Sequence, residues 1–168
     1  METKILKSLS LLFVLLTFTA CSNDDDSGPN YTEENFFMGY LNSSGLNENK
    51  ESFFNTENYE FGLDFTPKVT GKIIALKVSL PDANPALKIT IWNKATNTIS
   101  RTEVVNVLSA DTEFVFDIAD LQLTKDNEYA ISLNTNNWYQ RNKLDLSAVV
   151  YPITVGNIQI NACKWVTG

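Results

Sequence analysis

Tyr59-Glu60-Phe61-Gly62-Leu63-Asp64-Phe65-Thr66 sets large apolar residues at every second position. A period of two is the signature of a strand with one buried and one wet face. The same period runs through Ile74, Leu76, Val78 and Leu80, then through Leu87, Ile89 and Ile91. It returns at Phe114, Phe116 and Ile118, at Tyr129, Ile131 and Leu133, and at Ile158, Ile160 and Ala162. Val149, Tyr151, Ile153 and Val155 predict a further strand, with Pro152 marking an edge or bulge because proline cannot donate to a ladder. Ile99 to Val107 reads as a weaker strand.

Turn formers separate these runs: Thr66-Pro67, Pro81-Asp82-Ala83-Asn84-Pro85, Asn93 to Asn97, Lys125-Asp126-Asn127 and Gly156-Asn157. Such residues tolerate the tight or left-handed backbone of hairpin turns. No long stripe at helical spacing interrupts the pattern, although Glu33 to Leu41 and Ile118 to Leu123 could each hold a short helical turn. About eight short alternating strands predict an all-β fold, an antiparallel two-sheet β-sandwich of jelly-roll or Greek-key type. The expected domain spans 35–168, with no internal repeat.

The string from Tyr59 to Thr66, with Val69-Thr70-Gly71-Lys72-Ile73 and Leu76-Lys77-Val78, resembles the opening of the bacterial domain-of-unknown-function family 4082. Leu87-Lys88-Ile89-Thr90-Ile91-Trp92 is similar to that family's strand ending in tryptophan. Leu121-Gln122-Leu123-Thr124 followed by Glu128-Tyr129-Ala130-Ile131-Ser132 is similar to its turn into a tyrosine-bearing strand. Lys125-Asp126-Asn127 stands where the family tends to place glycine. The resemblance covers roughly half the mature chain and lies in core and turn positions, which speak for fold and not for activity. It implies a secreted β-sandwich of the kind found near carbohydrate-handling modules, with no catalytic residues to carry over.

The N-terminus reads as an address. Lys4 and Lys7 precede an apolar run from Leu9 to Phe18, too short to span a bilayer and shaped like a secretory signal. Leu16-Thr17-Phe18-Thr19-Ala20-Cys21 resembles a bacterial lipobox, which implies a signal peptide over 1–20, cleavage before Cys21 and lipidation of its thiol. Ser22-Asn23-Asp24-Asp25-Asp26 resembles the acidic export signal of Bacteroidota lipoproteins, implying a lipid-anchored protein of the outer membrane exposed at the cell surface. Residues 21–34 are then a lipidated cysteine and an acidic tether, too polar to order themselves. The whole chain carries a formal net charge of -7, so the lipid and not a basic face would hold it to a membrane.

Composition narrows the chemistry. The acidic balance argues against nucleic acid as a partner. The absence of His removes His-based triads and His-ligated metals. With Cys21 acylated, Cys163 has no disulfide partner and reads as a small core residue. The carboxylate pairs Asp117 with Asp120, Glu57 with Glu60, and Asp126 with Glu128 sit among solvated neighbours, so no catalytic residues are assigned and an enzyme is not expected. No metal site is assigned either. A structural calcium held by loop oxygens is the one cofactor left open, without residues to place it.

Asn134-Thr135-Asn136-Asn137-Trp138-Tyr139-Gln140-Arg141-Asn142-Lys143 reads as a polar loop with two adjacent aromatics among amides and cations. An aromatic ring covers the apolar face of a sugar while amides and guanidinium groups bond its hydroxyls. Trp138, Tyr139, Arg141 and Trp92 are therefore the candidate ligand-binding residues. The other reading has Trp138 folding down to plug the open end of the sandwich, with Tyr139 packing beside it. Trp92 is out of phase with Ile89 and Ile91, which places it on the opposite face or at a strand end, and Trp165 is expected to close an edge. Two roles follow: a non-catalytic carbohydrate-binding-like module taking a glycan, or a structural or adhesive envelope protein whose ligand is another protein.

Overall fold

The computed structural model describes residues 32–47 and 49–167. The expected signal peptide, Cys21 and the tether up to Tyr31 lie outside the described residues. The chain from Glu33 onward forms one compact unit. Helix α1 (Phe36–Ser44) leads into eight strands. These are β1 (Asn49–Pro67), β2 (Gly71–Val78), β3 (Asn84–Asn93), β4 (Thr98–Val107), β5 (Phe114–Leu123), β6 (Tyr129–Asn142), β7 (Ile153–Val155) and β8 (Ile158–Thr167).

The expected all-β sandwich is what the chain adopts. Six strands pair in the order β4-β3-β6-β1-β8-β7, and β2 pairs with β5 in a second sheet. Every pairing is antiparallel. The chain crosses to the small sheet at β2, returns at β3, crosses again at β5 and comes back as β6 beside β3, a Greek-key return. Alternation supplies the core: Leu76, Val78 and Leu80 face Leu87, Ile89, Ile91, Val105 and Val107, with Phe114 and Phe116 packed against them. Each such side chain, fully buried, contributes about 1.5–3 kcal/mol.

The small sheet covers only part of the large one. Helix α1 covers the part formed by β7 and the start of β8, its Tyr40 and Leu41 packing with Ile160, Ile153 and Val155. Tyr40 and Tyr151 join their hydroxyls at 2.7 Å. The helix forms where Glu33 to Leu41 allowed a helical turn, three residues further on. It stops at Gly45, whose φ of 76° lets Leu46 N–H reach back to the Leu41 carbonyl at 2.9 Å. Ahead of the helix, Glu34 accepts from both Asn157 nitrogens, the backbone N–H at 2.9 Å, which pins the entering chain to the β7–β8 turn.

Four local expectations change. Asn134–Lys143 is not a loop: Trp138 to Asn142 pair with Asn49 to Phe53, so β6 continues to Asn142. Ile118 to Leu123 belongs to β5 and is not a helical turn. Of the run Val149 to Val155 only the last three residues pair as a strand. Cys163 is exposed rather than in the core, because β7 covers only Ile158 to Ile160 of β8 and leaves the far end of that strand bare.

Candidate functional site

The outward face of the large sheet carries a run of small residues. Gly62 of β1 lies directly opposite Ser132 of β6 on one side and Lys164 of β8 on the other. In the next row Asp64 lies between Ala130 and Ala162, and Ala130 in turn pairs with Trp92 of β3. Small side chains on three adjacent strands leave a hollow in an otherwise filled surface. The result is a solvent-open groove of about 360 Å³ lined by Glu60, Gly62, Trp92, Ser132, Lys164, Trp165 and Val166. That volume sits at the lower end of the range of about 300–1,000 Å³ usual for small-ligand sites.

One wall is aromatic: Trp92, 37% exposed, stands on the same face as Gly62 and Ser132. Trp165 borders the groove between Lys164 and Val166, but it pairs with Phe61 and its ring turns to the opposite face of the sheet. On that face the rings run on: Tyr59 meets Trp165 edge-on at 5.9 Å between centroids, Trp138 meets Tyr59 at 5.3 Å, and Phe53 stacks on Trp138 at 5.0 Å. A bulge turns this part of the sheet. Residues 55–58 of β1 face a single residue of β6, and Asn55 Oδ1 accepts the Thr56 N–H at 2.7 Å while its amide donates to the Tyr59 hydroxyl at 3.1 Å. On β6, Thr135 Oγ1 exchanges hydrogen bonds with the Asn137 backbone at 3.0 and 3.2 Å.

The polar groups of the groove are held in place from outside it. Asp64, whose side chain is only 8% exposed, takes both the Lys164 ammonium at 2.6 Å and the Lys94 ammonium at 2.7 Å on one oxygen. Burial pushes the Asp64 carboxyl up, but the two ammoniums outweigh burial and hold it below the usual carboxylate range. Lys94 also reaches Glu128 at 3.3 Å. On the other wall Asn134 Nδ2 donates to Glu60 Oε1 at 3.2 Å. In the floor, Ser132 Oγ is buried and has no hydrogen-bond partner among the described residues.

The four residues singled out by sequence do not form one site. Trp92 lines the groove, on the face opposite Ile89 and Ile91, as its phase suggested. Trp138 packs on Phe53, Tyr59 and Phe61, the last at 4.5 Å, which is the packing role. Tyr139 points the other way along the strand: its hydroxyl donates to the Leu80 carbonyl and to Asp111, and Lys50 Nζ sits 4.0 Å over its ring. Arg141 donates to the Leu46 carbonyl at 3.3 Å and lines a separate polar pocket with Lys143 and Ser147. Neighbours on a strand face opposite ways, so once the segment is β6 rather than a loop, Trp138 and Tyr139 must part.

The sequence reading did not single out Glu60, Gly62, Ser132 and Lys164 as ligand-facing residues. A signal existed, because Glu60-x-Gly62 and Ser132 occupy the wet positions of two alternating runs and a wet-face glycine in a strand leaves a gap.

Of the carboxylate pairs read from sequence, only Glu60 lines the groove, apart from its companion Glu57. Asp120 bonds Lys72 at 2.6 Å, Asp126 approaches Lys68 at 4.0 Å, and Asp117 and Glu57 are exposed. Among the described residues no three carboxylates or thiols converge as metal ligands, and no helix is long and apolar enough to cross a membrane. Compared with known protein families, curated proteins and solved structures, the chain has no match.

Proposed function

We propose that this chain is a non-catalytic, lipid-anchored module of the cell surface whose sandwich binds carbohydrate in the groove beside Trp92. The observation that carries the reading is the exposed Trp92 standing beside a hollow floor of Gly62 and Ser132, with Glu60 and Lys164 at its rim. Tryptophan supplies wide, rigid contact area at low entropic cost, and a sugar needs such a face together with a few fixed polar groups. The lipobox-like sequence ending at Cys21 supports the anchor, and the resemblance to family 4082 supports a setting among carbohydrate-handling proteins.

The test is native gel electrophoresis of the chain from Ser22 onward through gels containing soluble polysaccharides, beside Trp92→Ala. Retardation that the variant loses is the expected result. Retardation that the variant keeps removes the groove as the site. No retardation together with concentration-dependent self-association turns the reading to an adhesive protein. Anchoring is tested separately, since Cys21→Ser is expected to abolish palmitate labelling and release the protein from membranes.

A further inference from the structure

Resting on the groove as a carbohydrate site, we infer that it selects a neutral sugar with an unmodified vicinal diol, read by Glu60 and Lys164. These two side chains line the groove on either side of Gly62. Lys164 is directly opposite that glycine, and Glu60 stands two residues before it on the same face of β1. Each is positioned by a partner outside the groove and keeps capacity to spare. Glu60 uses Oε1 for the Asn134 amide and has Oε2 left as an acceptor. Lys164 gives one N–H to Asp64 and has two donors left.

A fixed acceptor beside a fixed donor matches groups that both donate and accept. Two adjacent hydroxyls do so: one gives its proton to Glu60 while the oxygen of the other takes a proton from Lys164. The charge balance excludes the ionised alternatives. Glu60, Asp64, Glu128, Lys94 and Lys164 together carry one net negative charge, so a uronate would gain Lys164 but meet Glu60, while an amino sugar would gain Glu60 but meet Lys164. Hydrogen bonds to charged groups carry selectivity because a ligand lacking the hydroxyl leaves the charge unpaired at desolvation.

The experiment uses the chain from Ser22 onward, which holds every described element. The probes are the neutral polysaccharides galactomannan, xyloglucan and soluble starch, each native and periodate-oxidised with the resulting aldehydes reduced by borohydride, and polygalacturonate and alginate as anionic counterparts. Periodate cleaves vicinal diols and leaves the protein untouched, so folding of a variant does not enter. The expected result is binding of at least one neutral polysaccharide, weakened about tenfold or more by oxidation and by Glu60→Gln or Lys164→Met, where a factor of ten is about 1.4 kcal/mol. Neutral binding that survives oxidation and both substitutions overturns the diol assignment. Preference for polygalacturonate or alginate that Trp92→Ala abolishes overturns the inference and leaves the groove as a carbohydrate site. Binding of none of these polysaccharides overturns both.

Discussion

Lys164 Nζ donates to Asp64 Oδ2 at 2.6 Å across the β1–β8 pairing, and the Lys94 ammonium shares that oxygen at 2.7 Å. The carboxylate is nearly enclosed while its partners keep contact with water, so removing the carboxylate frees cations that can rehydrate. Asp64→Asn is therefore expected to cost about 1–3 kcal/mol at neutral pH, the range for a charged hydrogen-bonded group. The sign with pH follows from a folded pKa lying below the ordinary value of 3.8. Stability from ionised Asp64 is fully present above that ordinary value and is lost as pH falls through the lower folded one. Urea titrations of both proteins should show a constant gap from pH 7 to pH 5 that closes in strong acid.

A second prediction concerns Trp138. Its ring contacts Phe53, Tyr59 and Phe61 and bridges the two sides of the β1 bulge. Trp138→Ala should lower stability by about 2–4 kcal/mol, somewhat less than a fully buried tryptophan would cost. Chemical denaturation measures it. Binding in the groove should survive at temperatures where the variant is folded, because no atom of Trp138 lines that groove. A variant of unchanged stability that fails to bind polysaccharide would return Trp138 to the site.

What the sequence disclosed depended on whether a feature was local. Strict alternation placed the second half of β1 and the cores of β2, β3, β5, β6 and β8, because each residue's face follows from its neighbours two positions away. The first half of β1, Asn49 to Asn58, stayed hidden, since it is polar with adjacent Phe53 and Phe54 and shows no period. It is a strand only because β6 pairs with it. The groove was hidden for the same reason at larger scale. Gly62, Ser132, Lys164 and Trp92 come together through the order β3-β6-β1-β8, and alternation says which face a residue takes but not which strand lies beside it.

Gly39 offers a test of how the helix seats on the sheet. Glycine inside a helix is costly relative to alanine by about 0.5–1 kcal/mol, yet a Cβ at this position would lie 2.5 Å from Val155 Cγ1. Val155 is β-branched and stiff, so the helix must shift. Gly39→Ala should destabilise by about 1–2 kcal/mol. In a Val155→Ala background, where the obstructing methyl is gone, the same change should instead stabilise by about 0.5–1 kcal/mol. Equilibrium denaturation of the four proteins gives the cycle, and simple additivity would show that the contact does not govern the choice of glycine.

Gly62 separates fold from site most cleanly. A Cβ there would meet the Ile131 carbonyl oxygen at 3.7 Å and Ser132 Cβ at 3.8 Å, both ordinary contacts, so nothing in the packing requires glycine. Within a strand glycine costs roughly 0.5–1 kcal/mol of chain entropy, and valine favours extended backbone. Gly62→Val should hold or raise the melting temperature while filling the groove floor between Glu60 and Lys164. Polysaccharide binding should fall about tenfold or more, a loss of about 1.4 kcal/mol. Because stability and binding are expected to move in opposite directions, partial unfolding cannot mimic the result. A Gly62→Val protein that binds as well as the parent would mean the ligand never enters the hollow, and the exposed Trp92 would then have to be read as part of a flat contact surface.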